Sequence, residues 1–197
     1  MLNLWLCIGF CAIIWIFNGI CIFHAIKGKI ISELYMHIGL AIFLSVMVLE
    51  LTLGNNDAWK RFDSLWLQIT GFILYIPSGY LVITSMVALK QRGQPEGKDF
   101  TLTTIFIDKG IYRHIRQPMT LGLAIWCLAF ILVFQSIPSM VLCIISLFCF
   151  WMAARKESDY NIRKFGDDYK VYMEKVPMWN LFRKPLEHTN NKNHRNG

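Results

Sequence analysis

Apolar positions in this chain neither alternate nor recur every third or fourth place; they run on unbroken. From Met1 to Ile26 there is no Lys, Arg, Asp or Glu, and about 20 apolar residues in a helix suffice to cross a bilayer core of roughly 30 Å. A first membrane span is predicted over 2–26. It lacks the basic leading region and small-residue cleavage site of a secretory signal, so it is expected to persist as a helix. Leu34 to Leu49 is a second uncharged run, extended by Leu51 to Leu53 beyond Glu50, and predicts a span over 34–53. Ser64 to Leu89 is a third, over 64–89, in which Pro77 and Gly79 predict a kink. The longest run, Gln117 to Ala154, is too long for one span and is broken by Gln135, Ser136 and Pro138. It predicts a hairpin of two short helices over 118–134 and 137–154.

The expected fold is therefore all-α and polytopic, with about five transmembrane helices in one membrane domain over 1–186. A polar end, 187–197, is expected to be disordered. Composition agrees: 55% hydrophobic residues, 17% charged and a mean hydropathy of +0.41 exclude an ordinary soluble domain. The net charge of +7 would fit a nucleic-acid partner, but the charges fill gaps between apolar runs, so none is expected. All six cysteines (Cys7, Cys11, Cys21, Cys127, Cys143, Cys149) lie inside apolar runs, as buried thiols would.

The gaps also orient the chain. Lys27 and Lys29 are offset by Glu33, and Lys60 and Arg61 by Asp57 and Asp63. The segment from Lys90 to Arg116 carries six basic residues, and the part from Arg155 onward ten more. The positive-inside rule places both in the cytoplasm, with the N-terminus outside. The membrane itself, cytoplasmic or endoplasmic reticulum, depends on the organism. Glu50 is expected near the outer interface, solvated there, and His24 and His37 near span ends. No three ligands converge, so no metal is expected.

The candidate chemistry lies directly ahead of the fourth span. Pro118 suits the first turn of a helix, and Gln117, preceding a proline, is biased away from helical angles. A helix should begin there with its backbone N–H groups at the cytoplasmic face. Arg113, Arg116 and His114 beside the positive end of that helix make a site for a carboxylate or phosphate. The hairpin brings Glu157 back toward Arg116. Phe165, Tyr169, Tyr172, Met173 and Val176 then follow at offsets 0, 4, 7, 8 and 11, one face of an amphipathic helix that can lie on the membrane surface over a pocket.

These residues carry a family resemblance. The stretch Gly110-Ile111-Tyr112-Arg113-His114-Ile115-Arg116-Gln117-Pro118-Met119, with Gly122, resembles the GxYRxxRHPxYxG motif of the isoprenylcysteine carboxyl methyltransferase and phospholipid methyltransferase superfamily. Glu157, then Phe165-Gly166-Asp167-Asp168-Tyr169, Tyr172 and Val176-Pro177, resembles the same superfamily's acidic residue and FGxxYxxY ending. Arg92-Gly93-Gln94-Pro95 and Thr103-Thr104 resemble the stretch ahead of the motif. The likeness covers roughly Ala88 to Pro177. Three positions differ from the pattern: Gln117 stands for the usual His, Thr120 for the usual Tyr, and Ser158 follows a single acid where two glutamates are common.

The resemblance implies a membrane-embedded methyltransferase that uses S-adenosylmethionine and acts on a lipophilic or lipidated acceptor, such as a prenylcysteine carboxylate or a lipid amine or thiol. Carried over by position, Tyr112, Arg113, Arg116, Gln117, Pro118, Met119, Gly122 and Glu157 would form the cofactor site. Arg116 and Glu157 would act on the reacting groups. Two other readings stay open at this point. The Arg-x-Pro motif and hairpin also resemble the C-terminal part of sterol reductases, which use NADPH, and the three departures would suit a non-catalytic membrane adaptor.

Overall fold

A computed structural model describes residues 2–56, 58–93, 105 and 107–179. Gln94, Pro95, Thr103 and Thr104, and the tail 187–197, lie outside the described residues, as does Asp57. The described residues form α1 (Leu2–Lys27), α2 (Ile31–Thr52), α3 (Leu65–Arg92), α4 (Pro118–Phe134), α5 (Ile137–Phe165) and α6 (Asp167–Lys175). α1, α2, α3 and α5 are long and apolar enough to cross a membrane. α4, with 17 residues, is the shortest of the five apolar helices, about 25 Å at 1.5 Å per residue.

Packing does not follow chain order. α1 lies on α2, α2 on α5, α5 on α4 and α4 on α3. The shared core joins Phe43 and Val46 of α2, Leu123, Cys127 and Phe130 of α4, and Cys143 and Phe150 of α5. Phe43 and Phe130 meet edge to face at 5.6 Å. Lipid is as apolar as these side chains, so close packing rather than escape from water holds such helices together, and small residues at the contacts matter most. A Cβ on Gly122 would lie 2.7 Å from Val82 Cγ2, and one on Gly71 2.8 Å from the Ala129 carbonyl. These two glycines let α3 and α4 touch. Ser78 Oγ donates to the Gly122 carbonyl at 2.8 Å across the same contact. α3 is one continuous helix through Pro77, the position predicted to kink.

At the end of the bundle where α2 finishes and α3 begins, Gln135 takes a left-handed conformation (φ 50°) between α4 and α5. Its side chain donates to the Ser64 carbonyl at 2.9 Å and accepts from the Ser64 N–H at 3.1 Å. Glu50, expected to be solvated at this interface, is instead fully buried. Arg61 pairs with it at 2.7 Å, Ser139 Oγ donates at 2.7 Å, and Ser136 and Trp59 also donate to it. The acid is buried because the loop folds a cation over it and the hairpin supplies two hydroxyls.

The hairpin and the C-terminal face also depart from expectation. α5 does not stop at Ala154 but runs to Phe165, since no Gly or Pro interrupts 155–165. The aromatic face is not one helix. Gly166, at φ 66°, ends α5 and starts α6, so Phe165 closes one helix while Tyr169, Tyr172 and Met173 belong to the next. Their apolar faces still meet, with Tyr169, Tyr172 and Val176 buried against Ile162, Phe165 and Met173.

Candidate functional site

The segment ahead of α4 is a single 3-10 turn, Gly110–Arg113, entered through Gly110 at φ 65°, a left-handed conformation that favours glycine. Tyr112 and Ile115 point inward, the latter fully buried with Leu81 and Leu121. Pro118 opens α4 as expected, with Gln117 at its cap. The N–H groups just ahead of the helix are not open to an anion, however. Arg116 N–H donates to the Pro177 carbonyl at 3.0 Å and Gln117 N–H to that of Met178 at 3.2 Å. The chain beyond α6 runs along the motif and is fastened to it.

Side chains reinforce this clasp. Arg116 Nη1 donates to the carbonyls of Met173 and Val176, at 3.3 and 3.2 Å, at the end of α6 where the helix dipole is negative. Its Nε is buried without a hydrogen-bond partner. Burial lowers the Arg116 pKa, with the hydroxyls of Tyr169 and Tyr172 opposing. Tyr172 donates to the Tyr112 carbonyl at 2.6 Å. Trp179 Nε1 donates to Thr120 Oγ1 at 3.0 Å, so the residue that departs from the motif holds the end of the clasp.

Glu157 stands about one turn past Ala154, where the uncharged run of α5 ends. Its carboxyl lies near the Gln117 amide, and the charge of Glu33 on α2 faces it. Tyr169 is set between Glu157 and Arg116 and is pushed up to about 12, first by burial, with Glu157 adding to the effect and a hydrogen bond from Asn161 opposing it. Burial and the Glu157 charge also raise Tyr112, and burial with the nearby Tyr169 raises Tyr172. All three phenols stay protonated at neutral pH, and Tyr172 donates as described.

Glu157 and Met119 open onto a cavity of about 480 Å³, within the range of small-molecule sites. Apolar residues of α2, α3 and α4 line most of it, among them Met36, Leu40, Val82, Met86 and Leu123. Polar groups come from α2 (Ser32, Glu33, His37) and α5 (Glu157, Tyr160, Asn161, Lys164). The structure thus brings together Tyr112, Arg116, Gln117, Pro118, Met119 and Glu157. Arg113 is exposed and outside the cavity wall, and Gly122 sits in the α3–α4 contact. Sequence reasoning missed the α2 wall and Asn161 and Lys164. The signal was present, because Glu33, Met36, His37 and Leu40 recur at helical spacing on one face. No group of three metal-ligating side chains occurs among the described residues.

The family model for phospholipid methyltransferases matches residues 66–168, just over half of the chain. The match runs from the start of α3 to the beginning of α6 and takes in the motif turn, the hairpin and Glu157. The chain belongs to the phospholipid methyltransferase family, within the isoprenylcysteine carboxyl methyltransferase-like superfamily of membrane methyltransferases. No curated protein and no solved structure matches it.

Proposed function

We propose that this chain transfers a methyl group from S-adenosylmethionine to a lipophilic acceptor reached from the bilayer. The observation that carries the reading is that Met119 of the family motif and Glu157, 38 residues apart in sequence, line one mainly apolar cavity. The donor set suits the cofactor: Glu157 offers an acceptor for an ammonium or hydroxyl, Gln117, Asn161 and Lys164 offer donors for a carboxylate, and Met119 an apolar wall. When bound, the sulfonium supplies an activated methyl group.

What the protein then contributes is positioning and exclusion of water. Glu157, near the Gln117 amide, orients the polar part of the bound groups. Arg116 acts through the clasp, fixing α6 and the strap 176–179 over the motif; Met119 forms part of the cavity wall, and Tyr112 and Pro118 belong to the turn that starts α4 there. Arg113, exposed at the same end, is assigned to attracting the anionic part of the cofactor or lipid surface. Gly122 keeps α3 against α4 beside the cavity. The basic ends of α3 and α5 flank the cavity mouth, which supports a cytoplasmic site with the N-terminus outside.

The test is calorimetric binding of S-adenosylhomocysteine and NADPH to detergent-purified protein. Binding of the adenosyl ligand, weakened by Glu157→Gln, is the expected result. Binding of NADPH instead would overturn the proposal in favour of a reductase, and binding of neither would leave an adaptor.

A further inference from the structure

The cavity is the gap between α2 and α3, which are packed on other helices, α2 on α5 and α3 on α4. Met86 lines it while 41% exposed, so the gap faces lipid on that side. Its apolar walls run down two helix faces, Met36 and Leu40 on α2 and Leu89, Met86 and Val82 on α3, toward Leu123 of α4. Leu123 is part of the core, and Leu40 and Val82 pack against it, so the cavity ends on close-packed side chains. Beneath them three aromatic rings bridge the gap. Trp126, three residues past Leu123, meets Phe43 of α2 edge to face at 6.1 Å and Tyr75 of α3 in the same way, also at 6.1 Å. Phe43 in turn rests on Phe130, which stacks on Phe134 at 4.3 Å. The bar cannot shift outward on α2, because that helix is pressed against α5: a Cβ on Gly39, one turn before Phe43, would lie 2.9 Å from the Phe150 ring.

We propose that Trp126 is the stop for the acceptor's tail, and that this site takes an acceptor whose apolar part is a single chain of about eight carbons rather than a long acyl or polyprenyl chain. The inference rests on the methyltransferase reading above. Polar groups gather at one end of the cavity, at Glu33, Glu157, Asn161 and Lys164, and the apolar faces below them run along the helix axes. An acceptor with its reacting group at the polar end therefore points its tail at Trp126. Seven residues separate Met119, at the polar end, from Trp126, about 10 Å at 1.5 Å per residue. An extended chain covers about 3.6 Å in three bonds, or about 1.2 Å per bond, so about eight bonds fill that depth. Further methylenes would have to displace a ring held against two other helices at once, and overpacking a filled site is unfavourable. Lipid is as apolar as the cavity, so a longer tail gains nothing in return. The bar selects the length behind the nucleophile, not the head group that carries it.

The probes are analogues of S-adenosylmethionine whose S-methyl group is replaced by a straight butyl, hexyl, octyl, decyl, dodecyl or hexadecyl chain, so that no acceptor head group is needed. Their binding to wild type, Trp126→Ala and Leu40→Phe in lipid nanodiscs is measured by calorimetry beside S-adenosylhomocysteine, which has no tail. The expected result for wild type is an affinity that holds up to octyl and falls about tenfold or more by dodecyl. Trp126→Ala removes the ring and should move the break to dodecyl or beyond. Leu40→Phe fills the cavity from α2 and should move it back to hexyl or butyl. S-adenosylhomocysteine should bind all three proteins within about twofold, which separates a shifted break from a damaged fold, and either variant that binds it decides the matter. A wild-type profile without a break, as a tail leaving sideways past Met86 would give, overturns the inference. So does a break that stays at one length in every variant that binds S-adenosylhomocysteine. Failure of wild type to bind S-adenosylhomocysteine overturns the methyltransferase reading itself.

Discussion

The phenolic hydroxyl of Tyr172 on α6 donates to the backbone carbonyl of Tyr112 in the motif turn at 2.6 Å, 60 residues away in sequence. Both residues are buried, so the bond ties the C-terminal helix to the motif without competition from water. Tyr172→Phe keeps the ring and removes only the donor. A buried carbonyl left without its partner costs about 1–3 kcal/mol. For a chain of this size each 1 kcal/mol lowers the melting temperature by about 2–4 °C. Thermal unfolding in detergent should show that drop. An unchanged midpoint would mean that the clasp does not add to stability.

Glu157 and Arg116 differ in how they should fail. Glu157→Gln preserves shape and removes charge at the cavity rim, so binding of S-adenosylhomocysteine should weaken about tenfold or more by calorimetry, the equivalent of about 1.4 kcal/mol. Arg116→Ala removes the donors to Met173 and Val176, charge-assisted bonds worth about 1.5–3 kcal/mol each. It should speed limited proteolysis in 173–179 as well as weaken binding. Unchanged binding in both variants would sink the site assignment.

How far the sequence reveals this arrangement depends on how local each cause is. The apolar runs locate the five apolar helices, four of them long enough to cross a membrane, because a bilayer demands length and apolarity residue by residue. Pro118 marks the start of α4 because its fixed φ and missing N–H suit a first turn. The motif and Glu157 are legible as a pair because one hairpin separates them. Glu50 is misread because its burial depends on Arg61 across a loop and on Ser136 and Ser139 from the hairpin turn, partners that no local pattern connects. The break at Gly166 is hidden by aromatic spacing that continues in phase across it. His37 is read only as a residue near a span end, since its contact with Asn18 comes from another helix.

The two glycines at the α3–α4 contact give a packing prediction with a built-in control. Gly122→Val would drive a side chain into Val82 Cγ2 at 2.7 Å and the Ser78 carbonyl at 3.0 Å, and overpacking of this kind costs about 1–3 kcal/mol. Gly79 lies in α3 with nothing within 4 Å of its Cβ position. Gly79→Ala should be neutral or stabilising by about 0.5–1 kcal/mol, since glycine weakens a helix interior. The unfolding midpoints of the two variants should move in opposite directions. A tolerated Gly122→Val would mean that α3 and α4 separate freely, against a cavity wall held in place by this contact.

The buried pair at the opposite end predicts an asymmetry. Glu50 is fully buried while the Arg61 side chain is 28% exposed. Removing one partner of a buried pair costs about 3–5 kcal/mol because the other is left uncompensated. The two removals are not equivalent here. Arg61→Ala strands a carboxylate with only Ser136, Ser139 and Trp59 as donors among the described residues, whereas Glu50→Ala leaves a guanidinium that can turn toward the interface. Arg61→Ala should therefore be the more damaging change. The double variant Glu50→Ala/Arg61→Ala should recover part of that loss, since no charge remains buried. A double-mutant cycle of unfolding midpoints in detergent measures the coupling directly. Equal losses that simply add would show that the ion pair contributes nothing beyond its separate hydrogen bonds.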